Sequence, residues 1–241
     1  MFDKYFKRIF LIIYSLANQK EKIMNEIEKL RLDGEIPMNC YVLARNNECF
    51  IIDPGYQKEL IQEYVDSKGY TVKGILLTHA HIDHIEALDC YDVPVYLHEK
   101  EYEILIDNYN NGFEFFGKLP NYSFESLDIR LVNEDSELNI GGEKIEIILT
   151  PGHTIGSVCY VIGHDIYSGD TLFEATVGKW DRPTGNVEEL RVSVLKLINT
   201  QPDYMLVHPG HGRSTTIGVE KQINPFYIKW SQEELYSHLE K

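Results

Sequence analysis

Four side chains that commonly bind metal ions fall within six positions of the sequence. They are His79, His81, Asp83 and His84. The apolar run over residues 72–77 predicts a buried strand, so these side chains lie where a strand ends and a tight loop begins. Residues two apart in extended backbone point to one side, which brings His79 and His81 together. We predict that the chain then turns into a short helix over residues 85–89.

Imidazole nitrogens and carboxylate oxygens form a ligand set that suits Zn²⁺, Fe²⁺ or Mn²⁺. Four ligands in so short a loop cannot all reach one ion, so the spacing favours two metal ions a few Å apart. A solvent-exposed polar loop is the alternative, and a single histidine would favour it. The repeated ligand types after an apolar strand favour the metal site.

Three later segments place a ligand-type residue beside glycine, just past a predicted strand. These residues are His153, Asp170 and His211. Glycine lets the backbone approach closely at a crowded site, and loops at strand ends are where sites on sheet scaffolds collect. Each segment alone is a weak signal. Together with the first motif, they predict one metal site built from several loops.

The composition limits the kinds of partner. The chain has 241 residues, 43% of them apolar, and a net charge of −15. This charge argues against nucleic acid or an anionic membrane, because phosphate surfaces require clustered Lys and Arg. We expect no membrane partner and a small-molecule substrate. An anionic substrate would need local positive charge, which bound metal could supply.

Cysteine usage predicts a reducing compartment. The four cysteines are Cys40, Cys49, Cys90 and Cys159. None of them forms a Cys-x-x-Cys pair, so we expect free buried thiols and a cytoplasmic protein. Cys90 lies close to the metal motif, but the histidines already supply enough ligands.

Residues 1–30 are expected to form an N-terminal extension, followed by one domain over residues 31–241. Within the extension, basic residues precede a short apolar run over residues 9–14, which is too short to span a bilayer and loosely imitates a signal peptide. Three interpretations compete: an amphipathic helix docked on the domain, an export signal, or a translation start that belongs at Met24. The unpaired cysteines favour the first and third over export.

The remaining pattern predicts two similar halves, each a sheet with helices outside. Strands are predicted over residues 39–45, 48–53, 93–97, 128–132, 144–149, 157–162 and 204–207, and helices over residues 57–67, 99–107 and 186–199. Asn186 with Glu189, and Ser231 with Glu234, resemble capping boxes at helix starts. His98 is expected to cap or pack against a helix, and His164 to lie in a turn.

Residues 108–124 form a loop that is rich in aromatic side chains. They are Tyr109, Phe113, Phe115, Phe116, Tyr122 and Phe124. So long a loop is typical of a lid, a substrate wall or an oligomer contact. Packing over the edge of the sheet is an equal alternative.

The ligand motifs together resemble the metallo-β-lactamase superfamily. The matching segments are Thr78-His79-x-His81-x-Asp83-His84, Pro151-Gly152-His153-Thr154, Gly169-Asp170-Thr171-Leu172-Phe173 and Pro209-Gly210-His211-Gly212. The resemblance covers residues 39–227 and implies an α/β fold, a four-layer αββα sandwich with a dinuclear metal site at one edge. Residues 31–241 would then form a single hydrolase domain.

Within the superfamily, the chain is similar to the glyoxalase II group of hydroxyacylglutathione hydrolases. Residues 211–220 and 224–226 match the short bacterial type, which lacks an extra C-terminal helical domain. The resemblance implies two divalent metal ions, with zinc expected and iron or manganese as alternatives. By motif, the first ion would be held by His79, His81 and His153, the second by Asp83, His84 and His211, and Asp170 would bridge them.

One segment departs from the glyoxalase II pattern. The short bacterial type usually has Gly-Arg-x-Asp where this chain has Gly178-Lys179-Trp180-Asp181. Lys179 is similar to a position where longer enzymes grip the glutathione carboxylate, so it is a candidate substrate contact. An ordinary solvated lysine is the alternative. Asp181 replaces an aromatic hydroxyl, which leaves the identity of the thiol open.

The resemblance implies hydrolysis of a carbonyl compound by hydroxide held between two metal ions, which can lower the pKa of bound water to about 7. A thioester fits because its thiolate leaves without a proton, so the leading prediction is hydrolysis of a small acyl-thiol such as an acyl-glutathione. Asp83 and Asp170 are the candidate catalytic residues. Three alternatives stay open: hydrolysis of a lactone or phosphoester, a persulfide dioxygenase-like mononuclear iron enzyme, and a non-enzymatic binding protein.

Overall fold

The second strand of the chain is buried along its whole length. This strand, β2 at Met38–Arg45, places Cys40 and Val42 in one apolar core and Tyr41 and Leu43 in another. A strand buried on both faces must lie between two layers. The computed structural model describes residues 26–239, with side chains to residue 233.

The first sheet contains β2 and five further strands. They are β1 (Glu26–Leu32), β3 (Glu48–Ile52), β4 (Thr71–Leu76), β5 (Val95–His98) and β6 (Ile129–Val132). The six strands lie in chain order, antiparallel from β1 to β3 and parallel from β3 to β6. Its connections contain α1 (Lys58–Lys68), α2 (Ile82–Ile85), α3 (Tyr102–Leu105), and 3₁₀ turns at Leu88–Cys90, Glu99–Glu101 and Phe124–Ser126.

The second sheet also has six strands. They are β7 (Leu138–Ile140), β8 (Glu143–Leu149), β9 (Val158–Ile162), β10 (Asp165–Gly169), β13 (Leu206–Pro209) and β14 (Thr215–Thr216), and a separate hairpin is formed by β11 (Leu172–Phe173) and β12 (Thr176–Val177). Their order is β14-β13-β10-β9-β8-β7, with β10 and β13 parallel. The helices of this half are α4 (Val187–Thr200), α5 (Ile217–Ile223) and α6 (Pro225–Leu239).

Three apolar cores hold the layers together. The middle core joins the two sheets, with Phe50 and Ile52 of β3 in one cluster with Ile147 of β8 and Tyr160 of β9. The outer cores place α1 against the first sheet and α4 against the second. Helix, sheet, sheet and helix are therefore stacked in that order, which confirms the predicted four-layer αββα sandwich.

Several local predictions are confirmed. The turn at Asn46 and Asn47 joins β2 to β3 with φ angles of 51° and 64°, the left-handed region that Asn tolerates. Helix α1 ends at Gly69 as expected. His98 caps the 3₁₀ turn at Glu99–Glu101, because its Nδ1 accepts a hydrogen bond from the Lys100 N–H at 3.3 Å. All four cysteines are buried free thiols.

Five strands were not predicted: β1, β7 and the two-residue strands β11, β12 and β14. Charged side chains on β1 obscure its alternation, and β7 has only three residues. Residues 26–30 belong to β1 and pair with β2, so they are part of the first sheet and not of an N-terminal extension. The interpretations offered for residues 1–23 concern a segment outside the described residues.

Two helix starts were predicted wrongly. The helix expected over residues 85–89 is instead α2, which begins within the ligand motif and is followed by a separate 3₁₀ turn. The last helix begins at Pro225 and not at Ser231, because the Asn224 side chain accepts hydrogen bonds from the N–H groups of Phe226 and Tyr227 at 3.1 and 3.3 Å. Ser231 lies inside this helix, where its hydroxyl donates to the Tyr227 carbonyl.

Within residues 26–239, no helix has the length and apolar character that crossing a membrane requires.

Asn186 caps α4, as predicted, by accepting hydrogen bonds from the N–H groups of Glu188 and Glu189 at 2.9 and 3.2 Å. We expect Asn186→Ala to lower the free energy of unfolding by about 1 kcal/mol, because two helix N–H groups lose their partner. Chemical denaturation measures this change. Asn121→Ala is the control, since Asn121 is exposed and its side chain makes no hydrogen bond within residues 26–239. Equal losses in the two variants would contradict the capping role.

Candidate metal centre

The candidate ligands lie just past strand ends of both sheets, and these strand ends meet at one place. β4 runs into the loop that carries His79 and His81, and β8 runs into the loop that carries His153. β10 and β13 are parallel and end just before Asp170 and His211, so these two side chains leave the second sheet at the same edge. The seven predicted ligands all come together there, in overlapping groups: His79, His81 and His153; His79, His84 and Asp170; Asp83, His84 and His211.

The first group consists of three imidazoles. Nε2 of His153 lies 2.9 Å from Nδ1 of His81 and 3.2 Å from Nε2 of His79. Burial lowers the pKa of His81 to about 3 and holds the pKa of His79 well below its usual value. Neutral imidazole is the form that binds a metal ion, so the chemistry of the group fits a cation.

The second group combines carboxylates and imidazoles. The Nε2 atoms of His211 and His84 lie 3.2 and 3.8 Å from Oδ2 of Asp83. Asp170 lies between the two groups: its Oδ2 is 3.6 Å from Nε2 of His153 and 3.4 Å from Nε2 of His211. One carboxylate thus contacts both groups.

The carboxylates make this part of the site favourable for positive charge. Burial would lower the pKa of His84, but Asp53 and Asp83 outweigh it and raise that pKa to about 10. Burial acts in the same direction on His211, and Asp170 raises its pKa to about 11. The carboxylates favour positive charge at this place, and a bound metal ion would supply it in place of the protons on the two imidazoles.

Two atoms at the centre of the site are buried and have no hydrogen-bond partner among residues 26–233. They are Nε2 of His84 and Oδ1 of Asp170, which lie 3.4 Å apart. Buried polar atoms are almost always paired, because an unpaired one costs about 1–3 kcal/mol. A divalent ion between the groups would satisfy both atoms, so the residues present fit a metal centre.

Hydrogen bonds on the far side of the rings aim the imidazoles inward. The Nδ1–H of His153 donates to the Lys179 carbonyl at 2.6 Å, and that of His211 donates to the Pro37 carbonyl at 2.8 Å. Each bond leaves Nε2 facing the other candidate ligands. Such contacts fix the ring orientation of metal-binding histidines.

Asp53 is a functional residue that the sequence analysis missed. Its carboxylate accepts a hydrogen bond from Nδ1–H of His84 at 2.9 Å, and from the backbone N–H and hydroxyl of Thr78 at 2.8 and 2.7 Å. It therefore orients one candidate ligand and anchors the loop that carries the others. The sequence carries a weak signal for this role, since Asp53 precedes Pro-Gly just past a buried strand, but a single carboxylate at a strand end has many ordinary roles.

The three threonines beside the ligands differ in what they contact. The Thr78 hydroxyl lies 3.1 Å from Nδ1 of His79. The Thr154 hydroxyl donates to Glu101 at 2.6 Å, and the Thr171 hydroxyl lies 2.9 Å from that of Thr150. Among the hydrogen bonds of the described residues, the Thr78 hydroxyl is therefore the one of the three that lies within reach of a candidate ligand.

A cavity of about 530 Å³ opens onto the candidate ligands. The aromatic loop over residues 108–124 lines one side of it through Tyr109, Phe115 and Phe116. Phe113 of the same loop is fully buried in the outer core of the first sheet. The loop therefore both packs on the sheet and forms a wall of the cavity.

Two cationic side chains, Lys179 and Arg182, line the same cavity. The guanidinium of Arg182 lies 5.4 Å from the ring centre of Phe115, a distance that fits a cation–π contact. Within the described part of the chain, neither cation forms an ion pair. Glu114 also lines the cavity, so its outer part carries both signs of charge.

The sequence of residues 33–211 matches the family model of the metallo-beta-lactamase superfamily. The probable metallo-hydrolase YqgX of Bacillus subtilis (strain 168) is 40% identical over 199 residues, which are 80% of this chain and 93% of that protein. The hydroxyacylglutathione hydrolase GloC of Haemophilus influenzae is 33% identical over 184 residues, 73% of this chain and 85% of that protein.

Solved structures that are similar to this chain include a metallo-beta-lactamase. The BLEG-1 B3 metallo-beta-lactamase matches with a TM-score of 0.77 at 36% identity, over 84% of this chain and 99% of that one. TTHA1623 in a di-iron-bound form matches with a TM-score of 0.71 at 31% identity, over 83% and 99%. The chain belongs to the metallo-beta-lactamase superfamily and is a metallo-hydrolase of that family, whose fold implies a dinuclear site for divalent metal ions.

Asp53→Asn tests whether the hydrogen bonds of the Asp53 carboxylate to His84 and Thr78 support metal binding. The amide cannot accept from all three donors, so we expect zinc affinity to fall by about 10–100-fold. Equilibrium dialysis against zinc measures the change. Asp165→Asn is the control, because Asp165 also binds an imidazole, that of His208 at 2.8 Å, but away from the candidate ligands. An unchanged zinc affinity in Asp53→Asn would show that His84 needs no such support.

Proposed function

We propose that the protein hydrolyses a small thioester whose thiol part carries negative charge, with two zinc ions as the cofactor. The observation that carries the proposal is the position of Asp170, which touches both ligand groups at the floor of a cavity lined by two cations. The similarity to the hydroxyacylglutathione hydrolase GloC supports a thioester as the substrate. Iron or manganese would suit the same ligands.

The proposed ligand sets follow the two groups. His79, His81 and His153 would hold one ion, Asp83, His84 and His211 would hold the other, and Asp170 would bridge them. When bound, a pair of divalent ions polarises a carbonyl oxygen and lowers the pKa of water toward neutrality.

Two carboxylates, those of Asp83 and Asp170, line the floor of the cavity. The imidazole of His84 outweighs the effect of burial and lowers the pKa of Asp83, so its carboxylate is charged at neutral pH. A charged carboxylate accepts hydrogen bonds only, so Asp83 can orient the attacking water by accepting one of its protons in a hydrogen bond. Asp170 is likewise held as an anion, because His211 outweighs burial and keeps its pKa well below the usual value.

The cavity wall suits a thiolate leaving group. A thiolate departs without being protonated, because a thiol pKa near 8.5 makes the anion a stable product. Lys179 and Arg182 place positive charge in the cavity lining beside the carboxylate of Glu114, and this positive charge favours that anion in a protein whose net charge is −15. Phe115 and Phe116 offer an apolar surface for the rest of the substrate.

Hydrolysis of a β-lactam ring is the second candidate. It is favoured by the 36% identity to the BLEG-1 B3 metallo-beta-lactamase, which covers 99% of that chain. A lactam differs from a thioester in its leaving group, since an amine must be protonated before it departs. The two activities can therefore be separated by offering a thioester and a β-lactam to the same preparation.

Thiol release tests the function directly. The purified protein is loaded separately with zinc and with iron, its metal content is measured, and lactoylglutathione is added. We expect thiol release in the loaded protein and a loss of about 100-fold or more in Asp170→Ala, because the residue shared by both groups is removed. Asp203→Ala is the control, since Asp203 is an exposed residue paired with Lys221.

The other outcomes each point to a different chemistry. Two bound metals without thiol release would reject this thioester and move the test to a chromogenic cephalosporin, lactones and phosphoesters. Oxygen uptake with a persulfide, in protein that holds one iron and hydrolyses nothing, would favour the dioxygenase-like alternative. A protein that binds no metal would favour a binding function.

Lys179→Met tests the proposed substrate contact. The backbone carbonyl that holds His153 is kept, so only the charge in the cavity is lost. We expect KM for an anionic thioester to rise about tenfold, with kcat nearly unchanged, because the contact binds ground state and transition state alike. Steady-state kinetics measure both constants. Lys144→Met, at an exposed position on β8, should change neither. A fall in kcat alone would contradict a pure binding role.

A further inference from the structure

Glu101 is a fully buried carboxylate that is not a candidate ligand and that the sequence analysis did not single out. Its side chain is 0% exposed, and it ends the 3₁₀ turn that follows β5. β5 lies beside β4 in the first sheet, so the backbone of Glu101 is fixed to the same layer as the first ligand loop. Burying a charge without partners is costly, so its hydrogen bonds indicate why it is there.

The hydrogen bonds of Glu101 join two ligand loops. Oε2 accepts from the backbone N–H of Ala80 at 2.8 Å, and Ala80 lies between His79 and His81 in the chain. Oε1 accepts from the Thr154 hydroxyl at 2.6 Å and from the Gly156 N–H at 2.9 Å, in the loop that carries His153. One carboxylate therefore connects a loop of the first sheet to a loop of the second.

The connection between the two loops depends on both carboxylate oxygens of Glu101 and on Gly156. A Cβ atom at position 156 would lie 2.9 Å from atoms of Glu101, so any larger residue there would push the carboxylate away. A glutamine at position 101 would turn an NH₂ group toward one of the N–H donors and leave that pair unsatisfied. Only an acceptor at both atoms satisfies the three donors.

We propose that Glu101 is a positioning residue: by binding both loops, it sets the distance between the His79–His81 pair and His153, and so the metal affinity of that group. The proposal rests on the metal centre proposed above, but not on the substrate. The three imidazole nitrogens come from opposite sheets and lie within 4.8 Å of one another. Contacts that hold ligands from outside typically contribute 10–100-fold in metal affinity.

A general contribution to stability is the competing explanation, and the chain offers a matched control. Glu220 is also 0% exposed, and its carboxylate accepts three hydrogen bonds, from the Thr215 hydroxyl, the Ala175 N–H and the Asn224 amide, at 2.7, 2.9 and 2.9 Å. None of these three donors is adjacent in the chain to a candidate ligand. Replacing Glu220 therefore removes a similar buried carboxylate without touching the ligand loops.

The experiment compares zinc binding to Glu101→Gln, Glu220→Gln and the unaltered protein, by titration against a competing chelator. We expect two zinc ions in the unaltered protein, and a weakening of one of them by about 10–100-fold in Glu101→Gln with the other retained. Glu220→Gln should melt at a lower temperature and keep both affinities. Equal effects on zinc in both variants, or none in Glu101→Gln, would overturn the proposal.

Thr154→Val keeps the test decisive where Glu101→Gln does not fold. Valine matches threonine in shape and removes one donor to Glu101, so we expect the same zinc ion to bind several-fold more weakly. Unchanged binding in this variant would overturn the proposal. Because zinc is the probe, the result does not depend on catalysis. Two bound zinc ions without thiol release would reject the thioester substrate, and zinc binding to the Glu101 and Thr154 variants would still decide the role of Glu101. Absence of zinc binding to the unaltered protein would overturn both.

Discussion

The position of one carboxylate constrains the whole architecture. Asp170 lies within 3.6 Å of imidazoles from both sheets, and its buried Oδ1 has no hydrogen-bond partner in the described part of the chain. This contact requires the strand ends of the two sheets to face each other, which the middle apolar core enforces. It also requires space beside the backbone, because a Cβ atom at Gly178 would overlap the Asp170 carbonyl oxygen.

Such crowding of charged and polar groups is unfavourable in isolation, so the surrounding hydrogen bonds must hold it in place. Asp53 anchors His84 within the first sheet, the Lys179 carbonyl anchors His153, and the Pro37 carbonyl anchors His211. In each case the side chain is held from outside while its remaining nitrogen faces inward. These hydrogen bonds orient the candidate ligands from outside, which lowers the cost of ordering them around a cation.

The sequence predicted the candidate ligands better than the groups that support them, for a physical reason. His79, His81 and His84 are neighbours in the chain, and their residue types alone indicate metal chemistry. Asp53 and Glu101 act through partners 21 to 55 positions away, and a single carboxylate after a strand or in a turn has many ordinary roles. The strand β1 was missed because charged side chains hide its alternation, and it becomes a strand only by pairing with β2.

The floor and the wall of the cavity are built by different parts of the chain. The floor comes from strand ends that the cores fix, whereas the wall comes from the loop over residues 108–124 and from the segment with Lys179 and Arg182. Loops tolerate change more readily than packed strands, so the wall can vary while the metal centre stays the same. This separation explains how relatives described as a hydroxyacylglutathione hydrolase and as a metallo-beta-lactamase share one fold with this chain. Substrate choice must therefore be sought in the wall, which here carries an apolar surface, two cations and the carboxylate of Glu114.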